Sequence, residues 1–134
     1  ILGMDKKRRL AIIGAGKLGI ALAGYTGFRQ HGLEVVALFE KDDTKLGQTK
    51  EKIPIFHLSE LSDQKVKLGM DIAALAVPAS EAQDVADLVV AAGFKGIWNF
   101  APTRLDVPKD IIVQYEDLVV GILTLSHHLS RKIG

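Results

Sequence analysis

Apolar positions in this chain fall into short continuous runs, separated by stretches in which they recur at helical spacing. Leu10-Ala11-Ile12-Ile13 and Val35-Val36-Ala37-Leu38-Phe39 are runs of the kind that parallel strands buried on both faces carry. Between them, the stretch from Lys17 to about Gln30 predicts a helix. A polar stretch, Lys41 to Lys52 with Gly47 as a breaker, follows the acid Glu40. Ile53-Pro54-Ile55-Phe56 predicts a short strand, and Pro54 suits an edge position because it has no N–H to donate. Leu58 to Leu68 predicts a helix with His57 or Ser59 at its start and Gly69 just past its end. Asp71 to Val77, apolar after its first residue, predicts a central strand. Ser80 and Gln83 have the spacing of a capping box, at the head of a helix that carries Val85, Leu88 and Val89 up to Gly93. Lys95 to Phe100 and Asp110 to Gln114 predict two further strands. Strands alternating with helices in this way argue for an α/β fold, a doubly wound parallel sheet with right-handed crossovers.

The last segment, Glu116 to Lys132, predicts an extra C-terminal helix. Leu118, Ile122, Leu125 and Leu129 form a stripe on it, widened by Val119, Val120 and Leu123. So broad an apolar face needs a partner, either the chain's own sheet or another subunit. His127-His128 near its end read as helix histidines rather than metal ligands, since no third ligand stands at a recognisable spacing.

The chemistry enters behind the first strand. Gly14-Ala15-Gly16-Lys17-Leu18-Gly19 follows Ile13 directly and opens the first predicted helix, and Glu40 lies at the end of the second strand. Strand, glycine turn, helix, strand and acid together make the dinucleotide-binding pattern, which is far more specific than the glycines alone. Gly14 allows the tight turn, Gly16 lets a pyrophosphate approach the backbone, and Gly19 lets the helix pack close to the sheet. The N–H groups and positive end of the helix attract phosphate. Glu40 would accept hydrogen bonds from the adenosine ribose hydroxyls. The remaining strand ends, Val77-Pro78-Ala79 and Asn99-Phe100-Ala101-Pro102, are small or apolar apart from Asn99. A nicotinamide ring there is expected to meet few charges, which disfavours the cationic oxidised ring.

Composition narrows the classes. The 134 residues amount to about one domain, and 48% hydrophobic content is enough for a core. A net charge of +1 creates no field calling for nucleic acid or membrane, and Lys6-Lys7-Arg8-Arg9 reads as a local solvated face. With no cysteine there is no disulfide framework, which fits a reducing compartment such as the cytoplasm. No apolar stretch approaches the ~18 residues of a membrane span, and no signal peptide is visible. The start, Ile1-Leu2-Gly3, looks like the tail of an earlier element and suggests part of a longer protein. Catalysis by a dehydrogenase needs a proton donor or acceptor within reach of the substrate. No Tyr-x-x-x-Lys pair is present (Tyr25 is followed at the fourth place by Arg29), no His–acid pair lies beside the nicotinamide end, and there is no room for a substrate domain.

Five stretches, in order and with matching spacing, resemble the Rex family of bacterial redox-sensing transcriptional repressors. They are Ile1 to Lys7, Ile13 to Gly19, Gly24-Tyr25-Thr26-Gly27-Phe28, Ala76-Val77-Pro78-Ala79 and Gly96-Ile97-Trp98-Asn99-Phe100-Ala101-Pro102. The resemblance implies residues 1–9 as a linker from an N-terminal winged-helix DNA-binding domain and 10–115 as a Rossmann NAD(H)-binding domain. It implies 116–134 as a helix exchanged between the subunits of a homodimer. Gly14, Gly16, Lys17, Leu18 and Gly19 would hold the pyrophosphate and Glu40 the ribose. Val77, Pro78, Asn99, Phe100 and Ala101 would line the nicotinamide end. Tyr25 matches a tyrosine that responds to redox state, and Asp117 an acid at the start of the exchanged helix, on which Leu118 and Leu125 belong to the dimer contact. Asp is usual in the family where Glu40 stands, an apolar residue is usual at Lys41, and Lys41 would tolerate a 2′-phosphate. On this reading the chain senses NADH and NAD⁺ without catalysing a reaction, and operator DNA is reached only through the winged-helix domain. The alternative is a small NAD(P)-dependent oxidoreductase or a CoA-binding enzyme fragment.

Overall fold

The computed structural model describes residues 7–116 and 118–133. Both continuous apolar runs form central strands. β1 (Arg8–Ile13) starts two residues before the apolar run, and β2 (Leu33–Glu40) lies parallel to it, with Ile13 opposite Phe39. The remaining strands are β3 (Gly47–Gln48), β4 (Pro54–His57), β5 (Ile72–Leu75), β6 (Gly96–Asn99) and β7 (Ile112–Tyr115). Their order across the sheet is β3-β4-β2-β1-β5-β6-β7, and only β3 runs antiparallel to its neighbour. From β1 the chain first builds outward through β2 and β4, then crosses to the other side and builds β5, β6 and β7. That reversal places the switch point of a doubly wound sheet between β1 and β5, where ligands bind at the carboxyl ends of the strands.

Two cores flank the sheet. On one face Ala11, Ile13, Phe39, Ala73, Leu75 and Ile97 pack against Leu61 of α2 (Leu61–Leu68) and Val85, Ala86 and Val89 of α3 (Ala79–Ala91). On the other, Ile12, Leu38 and Ala74 pack against Ala15 and against Ala23 of α1 (Lys17–Ala23).

Three local expectations are corrected. The helix predicted from Lys17 to about Gln30 ends at Gly24, and a 3₁₀ turn, Thr26–His31, completes the crossover. The Tyr25 ring folds over Gly27 so closely that a Cβ there would lie 2.4 Å from it, a fold-back that a continuous helix would not permit. Pro54 is not on the sheet edge, because β3 from the polar stretch covers β4. The turn between them is closed by the buried Thr49, whose Oγ1 accepts from Ile53 N at 3.1 Å and whose N donates to Ile53 O at 2.8 Å. Ser80 and Gln83 form no capping box: Pro78 is the N-cap of α3, without a side-chain bond. Gln83 instead grips the backbone of Asp106, donating to its carbonyl and accepting from its N–H, each at 2.8 Å. Of the two partners open to the C-terminal helix α4 (Leu118–Ile133), the chain's own sheet leaves the described part of its apolar stripe uncovered. Ile122, Leu123, Leu125 and Leu129 are 52–62% exposed. Ile1 to Lys6 and Asp117 lie outside the described residues, as do the side chains of Leu118, Val119 and Val120. Among the described residues no helix is long and apolar enough to cross a membrane.

Candidate functional site

The glycine turn between β1 and α1 is shaped by three glycines with three different surroundings. Gly14 has φ +107°, and a Cβ there would lie 2.3 Å from the carbonyl oxygen of Ala76. At Gly19 it would lie 1.9 Å from the carbonyl oxygen of Gly14. At Gly16 it would meet nothing within 4 Å. Gly14 and Gly19 are thus filled by the protein's own backbone, whereas Gly16 faces open space. The turn is tied to both neighbouring strands, Gly14 N donating to Phe39 O and Ala76 N to Ile13 O, each at 2.8 Å. The first N–H groups of α1, those of Lys17 and Leu18 among them, have no intrahelical acceptor. A cleft beside the turn is lined by Ala15, Gly16, Lys17, Ile20 and Lys45. Lys45 comes from the short turn Asp43–Lys45, which the Asp42 carboxylate caps by accepting from Thr44 N at 3.0 Å. Sequence reasoning missed Lys45, since no local pattern ties a loop lysine to a glycine turn almost thirty residues earlier.

Glu40 closes the other side. One carboxylate oxygen accepts from Ala15 N of the glycine turn at 2.9 Å, and the other from Asp42 N at 2.8 Å. Partial burial would raise its pKa, but these backbone bonds, helped by the Lys45 charge and Lys41 N, outweigh it and hold the carboxyl below its ordinary value. The acid at the end of β2 is therefore fixed to the turn and ionised, with lone pairs remaining for further donors. The adjoining cleft, 350 Å³, is bordered by Gly16, Glu40, Lys41, Val77, Pro78 and Glu81. The Lys41 ammonium is in direct ion-pair contact with Glu81 in the first turn of α3. That hydrogen bond, together with the Glu81 charge, raises the Lys41 pKa.

At the carboxyl ends of β6 and β7 two charges stand beside part of the apolar wall, while Val77 and Pro78 border the Glu40 cleft. A recess of 290 Å³ is lined by Asn99, Ala101, Pro102, Arg104, Tyr115 and Glu116, so that one cation and one anion flank the apolar wall. Arg104 and Glu116 are ten or more residues apart in sequence, and only the β6–β7 pairing brings them together. Asn99 is fully buried and its amide is turned into the following loop: Nδ2 donates to Ala101 O (3.2 Å) and Thr103 O (3.1 Å), and Oδ1 accepts from Ala101 N (3.0 Å). It shapes the wall from beneath. Tyr25 is 60% exposed and lies at the end of an aromatic row. Its ring meets Phe28 edge-on at 4.9 Å, Phe28 meets Trp98 at 5.9 Å, and Trp98 meets Phe100 at 4.6 Å. The row joins Tyr25 to the Phe100 wall across one face of the sheet. The sequence shows these aromatics but not their stacking.

Known proteins supply an independent comparison. The model of a family described as CoA binding domain matches residues 5–103. The redox-sensing transcriptional repressor Rex of Treponema denticola is 41% identical over 131 residues, which is 98% of this chain and 62% of the relative. Two solved structures of RSP, a Rex-family repressor, superpose with TM-score 0.90 at 35% identity. One is in complex with β-NAD⁺ and operator DNA, the other with β-NADH; 98% of this chain is covered in both, and 60% and 63% of theirs. The chain thus spans about three-fifths of the length of the relatives it matches.

Proposed function

The chain belongs to the CoA-binding domain family and is similar to Rex repressors over nearly its whole length; on that premise we propose that it is the NAD(H)-sensing unit of a redox-responsive transcriptional repressor. The observation that carries the reading is the Glu40 carboxylate pinned by Ala15 N beside the open Gly16. An ionised acceptor at that point suits a ribose with free hydroxyls, and the open backbone at Gly16 suits a pyrophosphate. The ribose of CoA carries a phosphate instead, which the Glu40 charge repels. Lys17 and Lys45 flank the pyrophosphate position, with Leu18 and Gly19 in the first turn behind it. Val77, Pro78, Asn99, Phe100 and Ala101 form the nicotinamide side, and Lys41 the rim of the adenosine side.

The unit signals without chemistry. NADH favours a closed homodimer in which residues 116–134 are exchanged, with Asp117, Leu118 and Leu125 at the contact. Tyr25 reports the state of the ring through its aromatic row. Residues 10–115 form the sensor, and 1–9 lead to a DNA-binding domain through which the whole cytoplasmic protein holds its operator. Ligands move such an equilibrium only through differential affinity: going from 1:99 to 99:1 takes about 5.5 kcal/mol, or roughly half of that from each of two sites. Titration calorimetry with NADH, NAD⁺ and CoA tests the reading. NADH is expected to bind, and CoA to bind at least about tenfold more weakly, the size of one charged contact. Tighter binding of CoA than of NADH would overturn it.

A further inference from the structure

The Lys41–Glu81 ion pair stands at the rim of the cleft that the proposed function gives to adenosine. Lys41 follows the ribose acid directly, and a cation at that place is what a 2′-phosphate requires. The loop thus carries a group suited to each kind of dinucleotide, side by side. What decides between them sits on another element. We infer that Glu81 makes the cleft selective for a dinucleotide without a 2′-phosphate, by engaging the Lys41 ammonium and adding its own negative charge beside the ribose.

Three carboxylates, Glu40, Asp42 and Glu81, and two lysines, Lys41 and Lys45, line this cleft. A phosphate of charge about −1.5 to −2 entering there meets an excess of like charge. It must also displace the Glu81 carboxylate from Lys41 before it gains a partner. Without Glu81 the charges balance and Lys41 is available. Glu81 is held in place by its backbone, since its N–H donates to Pro78 O at 3.0 Å in the first turn of α3. The backbone bond anchors its Cα at the helix start, within reach of Lys41. The side chains of Lys41 and Glu81 are 64% and 32% exposed, so replacing either leaves the core intact.

This inference rests on the proposed function, and calorimetric titration with NADH and NADPH separates the two. The 134-residue chain is compared with Glu81→Gln and with the double variant Glu81→Gln/Lys41→Met. The wild type is expected to prefer NADH. Glu81→Gln is expected to bind NADPH about tenfold more tightly than the wild type does, as one charged contact is released to the phosphate, so that the NADPH-to-NADH affinity ratio rises. The double variant is expected to lose the gain. An unchanged NADPH-to-NADH ratio in Glu81→Gln would overturn the inference while leaving the dinucleotide reading intact, and so would a gain that persists without Lys41. A wild-type chain that binds neither dinucleotide would overturn the functional reading and this inference with it.

Discussion

Adding one methyl group at Gly19 and at Gly16 should have opposite consequences. At Gly19 the Cβ would lie 1.9 Å from the Gly14 carbonyl oxygen, where real contacts do not fall below 3.0 Å. The obstacle is backbone, so α1 must retreat from the turn by about 1 Å, and overpacking of this kind costs up to about 3 kcal/mol. Alanine's better helix propensity returns roughly 1 kcal/mol. A net loss of about 2 kcal/mol lowers the melting temperature of a domain this size by roughly 8 °C. At Gly16 the methyl enters open space, and the backbone, with φ −80° and ψ −164°, is extended and open to any residue. Gly16→Ala should therefore melt within about 2 °C of the wild type, since an N-cap Gly→Ala exchange costs only about 0.5 kcal/mol. It should nevertheless bind NADH about 10- to 100-fold more weakly, because a pyrophosphate held off the backbone loses charged hydrogen bonds that contribute about 1.5–3 kcal/mol. Thermal unfolding and calorimetry on the two variants decide the matter. A Gly19→Ala chain that melts like the wild type, or a Gly16→Ala chain with undiminished affinity, would refute the division of labour.

Three further outcomes are expected. Glu40→Gln should weaken NADH by about tenfold, through loss of one charged contact. Because the folded pKa of Glu40 lies below its ordinary value, its contribution to stability is complete above that ordinary value and is lost as pH falls through the lowered one. The stability gap between wild type and Glu40→Gln in denaturant titrations should accordingly close on acidification, and a gap that widens would refute the assignment. Glu116→Gln removes the anion of the nicotinamide-side recess and should lower NAD⁺ affinity relative to NADH, read as the ratio of two dissociation constants; an unchanged ratio places the ring elsewhere. Leu125→Asp puts a charge into the exposed stripe of α4 and should turn a dimer into a monomer at micromolar concentration, since a buried leucine contributes about 2–5 kcal/mol. Sedimentation of the wild type as a monomer would show that the stripe is not the dimer contact.

What the sequence made legible was whatever is written in neighbouring residues. The runs at Leu10 and Val35 became central strands, and the glycine turn stands beside the acid at the end of the second run, although the 2.9 Å bond from Ala15 N to Glu40 was not itself foreseen. Features made by residues far apart in the chain were not legible. β3 is two polar residues that become a strand only because β4 lies beside them. Gln83 had a capping partner three residues away in sequence and took the Asp106 backbone instead. Lys41 looked available for a phosphate because Glu81, on another element, cannot be placed opposite it by any local period. The exposed stripe of α4 was visible as apolar, but periodicity cannot name the surface that covers it.

On the proposed reading, the aromatic row would also make the chain a photometer. Trp98 is the only tryptophan, and it sits between Phe28 and Phe100. Reduced nicotinamide absorbs in the band where indole emits, and the oxidised ring does not. With the nicotinamide against Phe100, as proposed, NADH would quench Trp98 by energy transfer and emit in its place, while NAD⁺ would leave that channel dark. Redox state would then be readable as colour, in unlabelled protein, from a residue whose place in the fold is to pack one face of a sheet.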